Sequence, residues 1–320
     1  MIAIYSVRLA ILCFASFFVL HLIFGLLSLK LCARCACISA SISPQWGSRI
    51  FIALRLAPAS LSLLTISCVC IPSYLRYEEN SAPEEIGLLS LALACLGLLI
   101  FLTAFARASR AVIQSSWLSN KLAVTKPAQS WYLNLGVEKF PPLGLIGLLR
   151  PRVVVSPRVL EALTTEEFQV VLEHERAHLS SGDNLKRLLI LLCPGLFPFV
   201  RSFNAIEDHW QRYAELSADD FATRGQPGRS IVLAEALIKL ARLEGNQTAP
   251  PLVSGLFAAC DGLALRVERL LRLEPATEQP ALFWRSLWVA SCLLLACSAF
   301  LLPQLSLWRG VYPLLESLLR

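Results

Sequence analysis

Four long apolar stretches constrain the fold of this chain more than any other feature of its sequence. They cover residues 9–29, about 50–71, 86–105 and roughly 282–302. A helix of about 20 apolar residues is long enough to cross the hydrocarbon core of a bilayer. Charged residues make up only 16% of the chain, against about 25% in soluble domains. The sequence therefore predicts a mostly α-helical membrane protein with four transmembrane helices, the first retained rather than cleaved.

The charges of the connecting segments predict how the chain is oriented. Cytoplasmic loops carry an excess of lysine and arginine. The N-terminus is therefore expected outside and the long segment after the third stretch inside. We predict a membrane region at 1–105, a cytoplasmic domain at 106–280, and a fourth helix with a short tail at 281–320. The loop charges used are basic Lys30, Arg34, Arg49, Arg107, Arg110, Lys121 and Lys126, and acidic Glu78, Glu79, Glu84 and Glu85.

Charge and cysteine patterns argue against two kinds of ligand, namely nucleic acid and a metal bound by cysteines. The net charge is +6, but no basic run is interleaved with aromatic residues, so no direct nucleic-acid contact is predicted. Cys32, Cys35 and Cys37 have no second cluster or histidine nearby, and we do not interpret them as a metal site. Arg55 lies near the cytoplasmic end of the second stretch, and we expect its side chain to extend to the membrane surface.

The segment 106–280 has the pattern of a small α+β domain. Residues 131–137 form one predicted strand. The β-branched run within 152–156 follows turn residues, and it predicts a hairpin with residues 145–149. The expected sheet is therefore small.

Helix signals follow these strands. Thr164 and Glu167 form a capping-box pattern that starts a helix, and Gly182 is expected to bend or end it. Residues 188–200 are apolar but contain two prolines and are too short to span a bilayer, so we interpret them as a core or re-entrant segment. Further helices are predicted at about 206–223, 231–243 and 264–273.

The most specific chemical signal is the H-E-x-x-H motif formed by His174, Glu175 and His178. Histidines four apart on a helix share one face, where both imidazoles can bind the same Zn²⁺ ion. Glu175 is then predicted to be the general base that accepts a proton from water. A catalytic zinc needs a third protein ligand, for which we favour Glu215 and keep His209 as the alternative. The pattern is typical of zinc peptidases.

Residues near the motif are expected to support it. Asp219 and Asp183 are each expected to accept a hydrogen bond from a ligand imidazole and so fix its tautomer. Asp220 is expected on the surface. A developing oxyanion could be stabilised by any of three side chains, among which the sequence does not choose: His209, Tyr213 and Arg266.

These motifs resemble those of the BlaR/MecR-type integral-membrane metallopeptidases. The resemblance rests on residues 142–187, on E-x-x-A-D at 215–219, and on an arginine-containing helix at 265–271. It implies a gluzincin-like cytoplasmic domain in which the two motif histidines and the later glutamate bind zinc. It also implies a location in the bacterial cytoplasmic (inner) membrane. A role in signal transduction, by cleavage of a transcriptional repressor or of the protein itself, is expected on the same ground.

The chain departs from the beta-lactam receptors of that family after the last predicted span. Those receptors carry a penicillin-binding domain there, whereas residues 303–320 contain no S-x-x-K motif. We therefore expect no beta-lactam sensing. Two other functions stay open, namely a housekeeping membrane protease of the heat-shock or prenyl-protease type and a zinc-stabilised signalling scaffold without activity. In the peptidase interpretation, an extended protein or peptide substrate is expected to pair with the strand at 153–155.

Overall fold

The computed structural model describes residues 2–38, 43–77, 87–123, 132–134, 143–148, 151–243, 260–272 and 314. Its N-terminal part consists of α1 (Ile2–Ile38), α2 (Pro44–Thr65), a π-helical segment (Ile66–Cys70) that continues into α3 (Ile71–Tyr77), and α4 (Leu88–Ala123). Three stretches are long and apolar enough to cross a membrane: Tyr5–Cys37, Pro44–Arg76 and Leu88–Ser119. The fourth predicted span, at 282–302, lies outside the described residues.

Helix α1 packs against both α2 and α4. A Cβ atom on Gly97 of α4 would lie 2.3 Å from the carbonyl oxygen of Phe14 in α1, so only glycine permits this approach. A helix that is hydrophobic all round can bury one side here and leave apolar side chains exposed on the other. The buried core of this part comprises Leu12, Phe17, Phe18, Ile66, Cys70, Tyr74 and Ile100.

A three-stranded sheet follows the long helices. Its strands are β1 (Tyr132–Asn134), β2 (Leu143–Ile146) and β3 (Arg152–Val155), in the order β1-β3-β2. Strand β3 pairs antiparallel with β2, which confirms the predicted hairpin, and parallel with β1. The expectation that a substrate pairs with residues 153–155 is wrong, because β3 is the central strand and both of its edges are already paired. The edges of the described sheet belong to β1 and β2.

The remaining described helices are α5 (Pro157–Ala162), α6 (Thr165–Ser181), α7 (Asp183–Leu192), α8 (Asn204–Thr223), α9 (Pro227–Leu243) and α10 (Cys260–Leu271). The predicted capping box is present: Glu167 N–H donates to the Thr164 side chain, and Thr164 N–H donates to the Glu167 carboxylate. Gly182 ends α6 with φ of 67°, a left-handed conformation that favours glycine. The prediction of a mostly helical chain with a small sheet is confirmed.

Two hydrophobic cores organise the part of the chain after α4. In one, the sheet packs with α6, α9 and α10; its members include Leu143, Val155, Val171, Leu237 and Leu270. The other joins the long N-terminal helices to α7 and α8, and it contains Cys32, Phe51, Ile190, Leu196, Phe203, Ile206, Trp210 and Tyr213. Of the segment 188–200, Ile190 and Leu196 are buried in this second core, whereas Phe197, Phe199 and Val200 are exposed, so only part of the segment belongs to the core. Helix α4 continues without a break through the division predicted at residue 106.

Arg55 of α2 lies at the centre of this junction. The expectation that it extends to the membrane surface is wrong, because its side chain is only 2% exposed. Its Nε donates to Glu207 Oε1 of α8 at 2.7 Å, and its Nη2 donates to the carbonyl oxygens of Ile190 and Cys193 at 3.1 and 3.0 Å. The guanidinium also lies 4.7 Å from the ring centroid of Phe203. The charge of Arg55 is thus neutralised by Glu207 of α8.

Candidate metal centre

Helix α6 places the H-E-x-x-H motif in the interior. Its capping box sets the first turn, and the i, i+4 spacing then turns His174 and His178 to the same side. Their Nε2 atoms lie 3.1 Å apart. His174 and Glu175 are fully buried, and neither carboxylate oxygen of Glu175 has a hydrogen-bond partner among the described residues. Burial of such groups is costly unless another polar species satisfies them.

Helix α8 brings Glu215 to these histidines. Its Oε2 lies 3.4 Å from His174 Nε2, and its Oε1 lies 3.6 Å from His178 Nε2. Three ligands of a tetrahedral Zn²⁺ site with bonds near 2.0–2.1 Å are separated by about 3.3–3.4 Å. The separations observed here are close to that value, and all three donors are buried. The donor set therefore fits a divalent metal ion with two nitrogen ligands and one carboxylate.

Two aspartates contact the remaining nitrogen of each imidazole. Asp183 Oδ2 lies 2.7 Å from His178 Nδ1, and Asp219 Oδ1 lies 3.0 Å from His174 Nδ1. The left-handed turn at the end of α6 returns the chain so that Asp183 starts α7 beside His178. A carboxylate at Nδ1 favours the tautomer that leaves Nε2 unprotonated and able to bind a metal. Each aspartate thus lies beside one of the two motif imidazoles.

Arg266 of α10 contacts the acidic side of the centre. Its Nε and Nη2 form paired bonds to Asp219 at 2.8 and 2.7 Å, and its Nη1 lies 3.0 Å from Glu215 Oε2. A guanidinium in this forked arrangement neutralises and orients both carboxylates. Arg266 therefore contacts the carboxylates of both Glu215 and Asp219.

Burial and charge act in opposite directions on the ionisable groups. Burial raises the pKa of the Glu175 carboxyl. Burial has the same tendency at Glu215, but the charges of Arg266 and His178 hold the pKa of that carboxyl well below its usual value. Burial alone would lower the pKa of His178, whereas the Glu215 and Asp183 carboxylates raise it to about 10. The centre thus stabilises positive charge between its carboxylates, which is what a bound cation supplies.

Two of the other predicted residues contact helix α2. The ring of His209 stacks on Phe51 of α2 at 4.8 Å, and Tyr213 stacks on the same ring at 5.5 Å. Within the described part of the chain, the group able to hold a metal contains Glu215 and not His209. Asp220 is paired with Arg269 at 2.7 Å and is 21% exposed, so it links α8 to α10 rather than pointing freely into solvent.

Sequence reasoning did not single out Arg187 of α7. Burial lowers its pKa, while the charges of Glu215, Asp183 and Glu175 act to raise it. Its guanidinium lies 5.9 Å from the ring centroid of Trp210. Its spacing of one helical turn from Asp183 was the signal available in the sequence. Arg187 is therefore a second basic side chain whose charge interacts with the acidic residues of the centre.

Two histidines and a glutamate that could hold a metal ion, with a buried glutamate next to the first histidine, are the arrangement found in metallopeptidases of the H-E-x-x-H class. The model of the BlaR1 peptidase M56 family matches residues 21–270, and the chain belongs to this family. This match confirms the resemblance found in the sequence and supports a protease. The search of the curated proteins found no match.

Proposed function

We propose that this protein is a zinc endopeptidase of the bacterial cytoplasmic membrane that cleaves a cytoplasmic or membrane-proximal protein in signal transduction. The observation that carries the proposal is the convergence of His174, His178 and Glu215 beside the buried, unsatisfied carboxylate of Glu175. A purely structural metal site is closed by four protein ligands, whereas a catalytic site keeps a position open. Three donors next to an unpaired general base support the catalytic alternative.

Each residue of the site has its own role in the proposed reaction. Zinc bound by His174, His178 and Glu215 would polarise the scissile carbonyl and acidify water. Glu175 would accept a proton from the attacking water and pass it to the leaving amine. Its raised pKa suits this task, because a base is most effective when its pKa approaches the working pH. Asp183 and the Arg266 side chain would keep the ligand set oriented.

The sheet offers a place for an extended substrate. Strand β2 is an edge strand of the sheet formed by the described residues, and α6, which carries the motif, contacts it. Asn184 Nδ2 donates to the carbonyl oxygen of Gly147 at 2.9 Å, which ties the end of β2 to α7. We propose that substrate backbone pairs along β2 in β-strand addition. A transcriptional repressor is the substrate class that the family resemblance favours.

The test compares Glu175→Gln with Glu173→Gln in the full-length protein. Glu173 lies on the same helix but pairs with Arg224 on the exposed side, at 3.1 Å. We expect Glu175→Gln to retain stoichiometric zinc by elemental analysis and to lose proteolysis by about 10²- to 10⁴-fold, the usual contribution of a general base. Glu173→Gln should retain both.

The same variants separate the remaining alternatives. Substrate trapping by Glu175→Gln, followed by mass spectrometry, identifies the bound protein; a repressor supports signalling, and many unrelated membrane proteins support a housekeeping protease. Unchanged biological output of Glu175→Gln would favour a zinc-stabilised scaffold. Absence of stoichiometric metal in the wild-type protein would overturn the proposal altogether.

A further inference from the structure

A cavity of about 520 Å³ lies between α4 and the segment that connects α7 to α8. On the α4 side, Thr103, Arg107, Arg110 and Gln114 line it. These positions are spaced by three or four residues and therefore share one helix face. The opposite wall includes residues 195–207, with the first turn of α8. The metal-binding residues do not line this cavity.

The cavity has an excess of positive charge. Its lining contains four arginines and one glutamate, and the glutamate is already paired with Arg55. Arg107, Arg110 and Arg201 remain, and within the part of the chain that the structure describes no carboxylate forms an ion pair with any of them. Arg107 donates from Nη2 to the Cys193 carbonyl, while its Nε is buried without a partner among the described residues. The cavity thus presents guanidinium donors suited to a phosphate.

The rim of the cavity is apolar and exposed. Phe197, Phe199 and Val200 are 46%, 85% and 54% exposed, and Arg201 follows them directly in the chain. Phe105, at the end of the third apolar stretch, is 66% exposed just before Arg107 and Arg110. Exposed aromatic residues beside arginines at the end of a membrane helix are suited to the bilayer interface. A ligand of this cavity would therefore be both anionic and apolar.

We propose that the cavity binds the phosphate headgroup of an anionic phospholipid, with the acyl chains lying along α4 and the exposed phenylalanines. Arg107, Arg110 and Arg201 face the phosphate, and the apolar rim contacts the upper part of the chains. Arg55 and Glu207 complete the inner wall and connect it to α8. Because Glu215 follows Glu207 by about two turns of the same helix, the lipid contacts the element that carries the third metal ligand. The lipid site itself does not depend on peptidase chemistry.

The experiment uses the full-length protein in nanodiscs made of phosphatidylcholine alone or mixed with phosphatidylglycerol. A ligand that binds the folded state raises the thermal midpoint, so phosphatidylglycerol should raise it for the wild type. Each interfacial arginine favours an anionic lipid by roughly fivefold. The double variant Arg110→Gln/Arg201→Gln is therefore expected to bind phosphatidylglycerol roughly 25-fold more weakly and to lose most of the shift.

A matched control removes the same charge elsewhere. Arg152 is exposed at the start of β3 and Arg242 is exposed on α9, and neither lines the cavity. Arg152→Gln/Arg242→Gln should keep the lipid-dependent shift. An equal loss in this control would overturn the proposal in favour of general surface electrostatics, and a full shift in the Arg110→Gln/Arg201→Gln variant would overturn it directly.

Inorganic phosphate separates the two sources of the anion. Added to phosphatidylcholine nanodiscs, it should produce little shift, because it lacks the acyl chains that the rim contacts. A shift as large as that with phosphatidylglycerol would overturn the lipid assignment and indicate a soluble phosphate ligand. A further measurement needs no variant: the wild type should retain phosphatidylglycerol in preference to phosphatidylcholine during purification from an equal mixture, and equal retention would contradict the proposal.

Discussion

At the scale of single residues, the candidate metal centre is a series of neighbouring opposite charges. Arg266 holds Asp219, Asp219 contacts His174, and the imidazole faces Glu215, which Arg266 also contacts. Each group is buried, so each depends on its neighbour for compensation. Removal of one member leaves an uncompensated charge, which costs more than the lost contact itself.

Asp219→Asn tests this dependence. The variant leaves both Arg266 and the His174 imidazole without the negative charge of the Asp219 carboxylate. We expect a loss of roughly 3–5 kcal/mol in the free energy of unfolding and a decrease in zinc affinity of about 10- to 100-fold. Guanidinium unfolding in micelles and a competitive zinc titration measure the two effects. Asp220→Asn, one residue away, is the control and should leave zinc affinity unchanged.

The pH dependence of the stability of the metal-free wild type follows from the Asp219 carboxyl. Burial tends to raise the pKa of Asp219, but Arg266 and His174 lower it to about 2, below the usual value of about 3.9. Ionised Asp219 therefore stabilises the fold above pH about 3.9, and this contribution is lost as the pH falls towards 2. Asp219→Asn should lose less stability than the wild type over that window. An identical acid response in both proteins would contradict the assignment.

At the scale of elements, α6 is specified by its own ends. The capping box begins it, the left-handed Gly182 ends it, and Lys239 of α9 donates to both carboxylate oxygens of Glu167 at 2.7 and 2.8 Å. Local signals thus determine where the helix starts, and one contact attaches its first turn to α9.

Thr164→Ala removes the cap of this helix. The side-chain oxygen that accepts from Glu167 N–H is lost, and we expect a destabilisation of about 0.5–2 kcal/mol. Thr165→Ala is the matched control, because this neighbour is exposed and lies outside the capping box. Chemical unfolding of both variants provides the comparison. Equal effects of the two substitutions would show that the cap contributes nothing particular.

At the scale of the whole molecule, the long N-terminal helices share one core with α7 and α8. Phe51 of α2 stacks on Tyr213 of α8, and Gly47 of α2 approaches the same ring so closely that a Cβ would lie 2.3 Å from it. Arg55 adds hydrogen bonds to α7 and α8 in the same region. Displacement of α2 would therefore be transmitted to the helix that carries Glu215.

A double-mutant cycle on Arg55 and Glu207 measures this connection. Arg55→Gln and Glu207→Gln should each lower the thermal midpoint. The double variant should lose less free energy of unfolding than the sum of the two single losses, and the difference should be roughly 0.5–3 kcal/mol. Arg49→Gln is the control on the same helix, since Arg49 is exposed and contacts only the face of Trp46 among the contacts described for it. Additive effects of the first two substitutions would show that the ion pair does not couple α2 to α8.

Features encoded within one element could be predicted from the sequence. The apolar stretches, the capping box, the glycine at the end of α6, the β-hairpin and the facing histidines all depend on residues a few positions apart. Their spacing and chemistry are visible without any tertiary contact. The assignment to a metallopeptidase family rests on these same local patterns.

Contacts between distant elements were decided only by the tertiary structure. Arg55 and Glu207 are 152 positions apart, and Arg266 and Asp219 are 47 apart. The sequence could propose Glu215 over His209, but only the packing of α8 against α2 turned His209 onto Phe51 and Glu215 towards the imidazoles. The tertiary structure also made β3 the central strand of the described sheet and formed the arginine-lined cavity. Periodicity specifies which face of a helix is apolar, whereas the partner that covers that face is selected by shape and charge across the whole molecule.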